Sequence, residues 1–507
     1  MTDEVEAGPS QTGPPSEQHW IDFKVEKDRQ TSLVEQIVRG IADLIGQRRL
    51  RVGAKMPSIR QFAKWYAIST FTVVEAYERL TSMGLLAARR GSGYFVARNE
   101  PSPPRSPEGL PALSSMQPLV PDLYSGVTDL LPVGASWLPP EWHGEGLLVE
   151  AVRLAMRMPV NRLQGYGHPL GFPGLRQYLA NRLSEDLFPV EPDQIILTHG
   201  STHAFDIILR ALTQPGDTVL IEDPGYANLP ALVRQHHCVP VGVARDSSGL
   251  NLAMLHQCAA KYRPKLMFVG TVLQNPLGTS LSHVQAHQLL KAAAEHNFWL
   301  VEGDTYREFA SGSEPSLAAM DGMQRVLRVA SFSKTLSAAI RVGSIAAPMA
   351  LMPTLVRTKM LSGLTTSEIN ERAVYHAIST AAYRRMIARL KSRLRAACDD
   401  TVDKLIGFGL SPLAKPRGGM FVSAGWVNSP TPEFNATMVA NLALESGILL
   451  SPDNFFTLAS SRSIWFRFNV VYATSPRLET FFQSHRRELG FETNSGHARL
   501  LGSDSPI

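Results

Sequence analysis

Cysteine is scarce. The chain has three in 507 residues, Cys238, Cys258 and Cys398, far apart and odd in number. That pattern excludes a disulfide framework and a cysteine metal site, and the expectation is a reduced, cytoplasmic protein with no metal. Long apolar runs are missing too: no stretch approaches the roughly 20 residues of a membrane span. Residues 1–20 lack the apolar core of a signal peptide; they are acidic and rich in proline and serine, and are expected to form a disordered tail. There is little net charge, only +5, but it is unevenly placed. Residues 21–98 hold 14 Lys and Arg against 7 Asp and Glu, a net +7, so the remainder sums to −2. An excess confined to one end points to a polyanionic partner there.

A chain of this length exceeds the roughly 250–300 residues at which single cores stop growing, so more than one domain is expected. The basic segment, 21–98, reads as the first. Val34, Ile37, Val38, Ile41, Leu44 and Ile45 keep helical spacing. Ser58 is placed to cap a short second helix carrying Ile59, Phe62 and Ala63, and Ser69 to cap a third with Val73, Val74, Tyr77 and Leu80 inward. Two short strands follow around Arg89, Arg90, Gly91, Ser92 and Gly93. The sum is a winged helix-turn-helix of α+β type. Its third helix would enter the major groove of double-stranded operator DNA with Ser69, Thr70, Phe71 and Thr72 at its leading end. Arg60 on the second helix would reach a phosphate or a guanine, and the wing tip would reach a phosphate or the minor groove.

Seven prolines between Asn99 and Pro121 exclude regular structure there. Residues 99–118 are therefore assigned to an extended, semi-rigid linker. From 119 to 490 strands and helices alternate, as in a large α/β domain, with 491–507 left as a tail. Polar residues fall just past strand ends, where open α/β sheets bind ligands.

The decisive stretch is Ser331-Phe332-Ser333-Lys334-Thr335, with Arg341 seven residues beyond the lysine. A partly desolvated amine is a nucleophile toward carbonyls, and the hydroxyls and guanidinium suit a phosphate dianion. Pyridoxal 5'-phosphate (PLP) asks for both, an amine for its aldehyde and donors for its phosphate. Gly200, Ser201 and Thr202 open a helix whose N–H groups and dipole favour a phosphate. Asp304 would face the pyridine nitrogen and hold it protonated. Tyr306 and Asn275 would reach the ring hydroxyl, and Tyr226 would stack on the ring face. Arg467, in the apolar run Ile464-Trp465-Phe466-Arg467-Phe468, is costly to bury unpaired, and a ligand carboxylate is its natural partner.

Three resemblances add to this. Residues 32–97 resemble the DNA-binding domain of the GntR family through Met56-Pro57-Ser58-Ile59-Arg60, Ser69-Thr70-Phe71-Thr72-Val73, Ala76-Tyr77-Glu78-Arg79-Leu80 and Arg90-Gly91-Ser92-Gly93-Tyr94-Phe95-Val96. Thr70 stands where that family usually has arginine. The later constellation resembles the fold-type I aminotransferases over about residues 119–490. That likeness implies Lys334 as the Schiff-base lysine, Asp304 opposite the pyridine nitrogen, and Asn275, Tyr306 and Tyr226 around the ring. It also implies Ser201, Thr202, Ser331, Ser333 and Arg341 on the phosphate, and Arg467 on a substrate α-carboxylate. Tyr166 would reach the phosphate of a neighbouring subunit, which implies a homodimer. The order of the two domains is similar to the MocR subfamily of transcriptional regulators. Some members have a basic residue two positions after the stacking tyrosine; here it is Asn228.

Three functions compete at this level. The first is a PLP-dependent regulator that senses an amino-acid-like effector, or PLP itself, through external aldimine formation. The second is a working aminotransferase with a DNA-binding appendage. The third is a DNA-binding protein whose large domain only dimerises. Domain order and charge asymmetry favour the first, and a mere dimeriser has no physical need of Lys334.

Overall fold

Three serines start the three helices of the N-terminal unit. Ser32 caps α1 (Leu33–Gly46), Ser58 caps α2 (Ile59–Trp65) and Ser69 caps α3 (Thr70–Ser82), their hydroxyls accepting from the backbone N–H of Glu35, Gln61 and Thr72. Each satisfies a donor that the first turn leaves orphaned. Gly84, at φ +71°, lies just past the end of α3, a backbone conformation that favours glycine. β1 (Leu86–Arg89) and β2 (Gly93–Val96) then pair antiparallel, Arg89 opposite Gly93, to form the wing. The helices and wing close on Ile37, Ile41, Phe62, Tyr77 and Leu80, all fully buried. Tyr77 also donates its hydroxyl to the Pro57 carbonyl at 3.2 Å, tying α3 to the start of α2.

The structure is a computed structural model and describes residues 25–26, 31–47, 49–89, 91–97, 130–144, 146–186, 189–426, 434–458 and 463–491. The expected N-terminal tail, the linker at 99–118, the last sixteen residues of the tail assigned to 491–507, and Arg90 lie outside these. The described residues form two units, one within 1–112 and one within 113–507. All three cysteines are free and buried. Among the described residues no helix is long and apolar enough to cross a membrane.

The second unit is built on an eight-stranded sheet. Its strands are β3 (Ile195–Thr198), β4 (Thr218–Asp223), β5 (Val239–Asp246), β6 (Gly249–Leu250), β7 (Leu266–Val269), β8 (Trp299–Gly303), β9 (Val326–Ser331) and β10 (Gly343–Ala346). The spatial order is β3-β10-β9-β8-β7-β4-β5-β6. From β9 across to β5 neighbours run parallel, while β10 runs against both β3 and β9, and β6 against β5. β3 and β7 are buried along their whole length, as strands covered on both faces must be. The crossovers are helices, among them Gly200–Leu212 and His283–Glu295. The order of strands reverses between β7 and β4, and the C-terminal ends of the parallel strands β4, β7, β8 and β9 lie on one side, where such sheets place ligands.

A second, four-stranded sheet follows the helix Ala381–Gly407: β11 (Ser411–Pro412), β12 (Phe421–Trp426), β13 (Ser451–Pro452) and β14 (Ile464–Asn469), in the order β11-β12-β14-β13. It has its own core around Leu394, Val422, Phe466 and Phe468. Arg467 sits mid-β14, opposite Ser423 of β12 and Ser451 of β13.

Candidate active site

A cavity of about 730 Å³ opens over the converging strand ends. Lys334, three residues past β9, reaches into it, its Nζ donating to the Ser136 carbonyl and lying 3.3 Å from the Ser136 hydroxyl. Burial depresses its pKa to about 7, with the Arg467 and Arg341 guanidiniums adding to the effect. A protonated amine is disfavoured in that setting, so a large neutral fraction is available for attack on a carbonyl.

One end of the cavity is dense in donors. Ser201 and Thr202 line it from the first turn of Gly200–Leu212, and Ser331, Ser333 and Arg341 line it from the other side. Arg341 donates from Nη1 to the Ser333 hydroxyl at 3.1 Å and from Nη2 to the His199 carbonyl at 2.9 Å. Gly200 has φ +80°, and a Cβ there would stand 2.5 Å from Arg341 Nη2. Only glycine admits the guanidinium so close to the helix start. Helix dipole, hydroxyls and guanidinium thus converge as a dianion site.

Tyr226, Asn275 and Tyr306 line the walls. The Tyr226 hydroxyl lies 3.3 Å from Thr202 Oγ1 and accepts from Asn228 Nδ2 at 3.2 Å. Burial pushes the Tyr306 hydroxyl well above its ordinary pKa, so it stays a donor. Arg467 also reaches the cavity; it donates to Asn275 Oδ1 at 2.8 Å and to the Gly134 carbonyl, with its guanidinium over the Phe421 and Phe456 rings at 4.4 and 4.8 Å.

Asp304 is placed elsewhere than expected. Asp304 does not line the cavity; its neighbours Gly303 and Thr305 do. The Asp304 carboxylate receives Arg307 Nε at 2.7 Å on both oxygens, and Arg328 Nε at 2.7 Å. Burial alone would raise its pKa, but Arg328 and Arg307 overcome that and hold it below the ordinary carboxylate value. The expectation that Asp304 faces a pyridine nitrogen is therefore corrected: two cations on the far side of the wall claim both its oxygens. Tyr166, expected to serve a neighbouring subunit, is 80 % exposed and lies outside this cavity.

Sequence reasoning missed Ser136, Trp137, Phe205 and Gly303, all of which line the cavity. Ser136 and Trp137 come from a segment without motif. Phe205 lies four residues past Ser201, one turn along the same helix face, and that spacing was available as a signal.

In the N-terminal unit, Ser58, Arg60, Ser69, Thr70 and Phe71 are exposed, Phe71 by 75 %, and Thr72 is half-buried. Ser69 and Thr72 hydroxyls are 2.8 Å apart, so the start of α3 is pre-ordered. Arg89 stacks over Phe95 at 4.6 Å, and Gly91, Ser92 and Gly93 form the exposed tip.

This geometry agrees with the comparisons. The family "Aminotransferase class I and II" matches residues 143–483, and "Bacterial regulatory proteins, gntR family" matches residues 33–96. The chain belongs to the aminotransferase class I and II family. With a gntR domain ahead of it, it has the two-part composition of the MocR subfamily. It is 28% identical to the uncharacterized HTH-type transcriptional regulator YdcR of Escherichia coli (strain K12), over 88% of this chain and 96% of that protein. It is 26% identical to the "Probable rhizopine catabolism regulatory protein MocR" of Rhizobium meliloti, over 72% and 76%. The fold matches Pyrococcus horikoshii kynurenine aminotransferase, solved in complex with PMP, with TM-score 0.66 at 21% identity, over 74% of this chain and 96% of that one. It also matches the α-aminoadipate aminotransferase LysN of Thermus thermophilus, with TM-score 0.63 at 25% identity, over 73% and 93%.

Proposed function

We propose that the chain is a PLP-dependent transcription regulator whose large domain senses an amino-acid-like effector. The observation that carries this reading is Lys334: a buried amine of lowered pKa beside a ready-made dianion site, in one chain with a winged helix-turn-helix. When bound, PLP supplies an aldehyde that condenses with primary amines. Lys334 anchors it, and Ser201, Thr202, Ser331, Ser333 and Arg341 hold its phosphate. Tyr306 and Asn275 orient the ring through its hydroxyl, and Tyr226 covers one face. Arg467 binds the effector's carboxylate. At Asn228, two residues past Tyr226, the side chain is neutral, so the effector is one that needs no second cation there.

The N-terminal unit, 21–98, binds double-stranded operator DNA. Ser69, Thr70, Phe71 and Thr72 enter the major groove at the head of α3, while Arg60, Arg89 and Arg90 hold phosphates. The 99–118 linker joins it to the PLP domain at 119–490. The working form is a cytoplasmic homodimer in which the exposed Tyr166 serves the neighbouring subunit's phosphate site. Names of relatives such as YdcR and MocR support regulation. A promoter-binding assay of the full-length protein with PLP and a panel of L-amino acids tests the reading; no effect of any amino acid on DNA affinity would count against it.

A further inference from the structure

We propose that this cavity binds PLP as a reagent for capturing amines while withholding the electron sink that turnover requires, because no carboxylate in it is free to hold a proton on the ring nitrogen. The inference rests on the PLP reading above. A protonated pyridine draws electrons from a bound amine, and it persists when a carboxylate shares its proton. Among the described residues lining the cavity the sole carboxylate is Glu222. Its Oε1 is bound by Arg245 Nη1, and its Oε2 accepts from Gly270 N at 2.9 Å and Gln274 Nε2 at 3.3 Å. Asp304, just past the end of β8, is turned to Arg307 and Arg328.

The wall position beside Asp304 is Gly303. A Cβ there would meet the Val269 carbonyl at 3.6 Å and Phe205 Cζ at 3.8 Å, ordinary contacts with two residues that themselves line the cavity. Gly303 is not among the positive-φ glycines, so a side chain is sterically allowed. A Cβ fits at this wall position, and the residue there carries no carboxylate. The guanidiniums that do line the cavity, Arg341 and Arg467, further oppose a positive charge on the ring.

The test uses full-length protein loaded with ring-¹⁵N-labelled PLP, with retention after dialysis followed by the cofactor's visible band. Wild type should keep the band and show the ¹⁵N resonance of an unprotonated pyridine. Gly303→Asp should move that resonance upfield to the pyridinium position. A pyridinium resonance in wild type overturns the inference and leaves PLP binding standing, whereas loss of PLP from wild type overturns both. The wild-type spectrum decides even if Gly303→Asp fails to fold. A Gly303→Asp protein that keeps PLP without the shift overturns the role given to that wall position.

Discussion

Arg467 donates to Asn275 across 192 residues of chain, from the middle of β14 to the loop beyond β7. The contact joins the second sheet to the first inside one cavity. It also links the residue proposed to bind an effector carboxylate to one proposed to orient the cofactor ring. Phe421 and Phe456 both lie against the guanidinium, and with the bonds to Asn275 and Gly134 they set its direction before any ligand arrives.

Arg467→Ala should weaken carboxylate-bearing amino acids and spare PLP. Hydrogen bonds to charged groups are worth about 1.5–3 kcal/mol, which is roughly a 10- to 150-fold rise in Kd. Titrating L-amino acids into the PLP-loaded protein and following the visible spectrum reads this directly. Equal affinity in the variant would move the carboxylate site elsewhere.

Capture of added PLP by the cofactor-free protein should accelerate as pH rises through about 7 and then level off. Only the unprotonated amine attacks, and burial with Arg467 and Arg341 lowers the Lys334 pKa to about 7. The rise therefore comes earlier than for an ordinary lysine near about 10.4. Stopped-flow absorbance over a pH series measures it; a rate still climbing at pH 9 would contradict the lowered pKa.

Asp304→Ala should destabilise the large domain by about 3–5 kcal/mol, because it removes the buried carboxylate that Arg307 and Arg328 share. The visible PLP band should persist below the unfolding transition. Chemical denaturation followed at two wavelengths separates the two effects. Loss of the band in a fully folded variant would return Asp304 to the cofactor.

Arg60→Ala and Arg89→Ala should each flatten the dependence of log K for DNA on log salt by about 0.9. Both residues are exposed. Fluorescence anisotropy with operator DNA at several salt concentrations gives the slopes; unchanged slopes would place the DNA contacts on other residues.

Much of the winged helix was legible because its signals are local. Ser58 and Ser69 cap the helices assigned to them, and Phe62, Ala63, Val73, Tyr77 and Leu80 are buried at the expected spacing. The strands leading to Tyr226, Asn275 and Lys334 were found from apolar runs with polar ends. The antiparallel strand β10 was not found, since Gly343–Ala346 carries no pattern distinguishing it from a loop. The direction of Asp304 was not legible either. Position at a strand end says that a residue is near the cavity; which way it faces depends on Arg328, in the neighbouring strand, and Arg307, three residues on. Ser136 is 198 residues from the lysine it contacts, and no local periodicity reports such a pairing.

The most direct test of the regulator reading is the DNA affinity of the full-length, PLP-loaded protein, measured with and without each of a panel of L-amino acids, in wild type and Lys334→Ala. A tenfold change corresponds to about 1.4 kcal/mol of coupling between the two sites. The account predicts that at least one amino acid shifts wild-type affinity by about that factor, and that Lys334→Ala binds DNA but does not respond. An equal response in Lys334→Ala, or steady conversion of amino acid to keto acid at roughly 1–1000 per second, would contradict it.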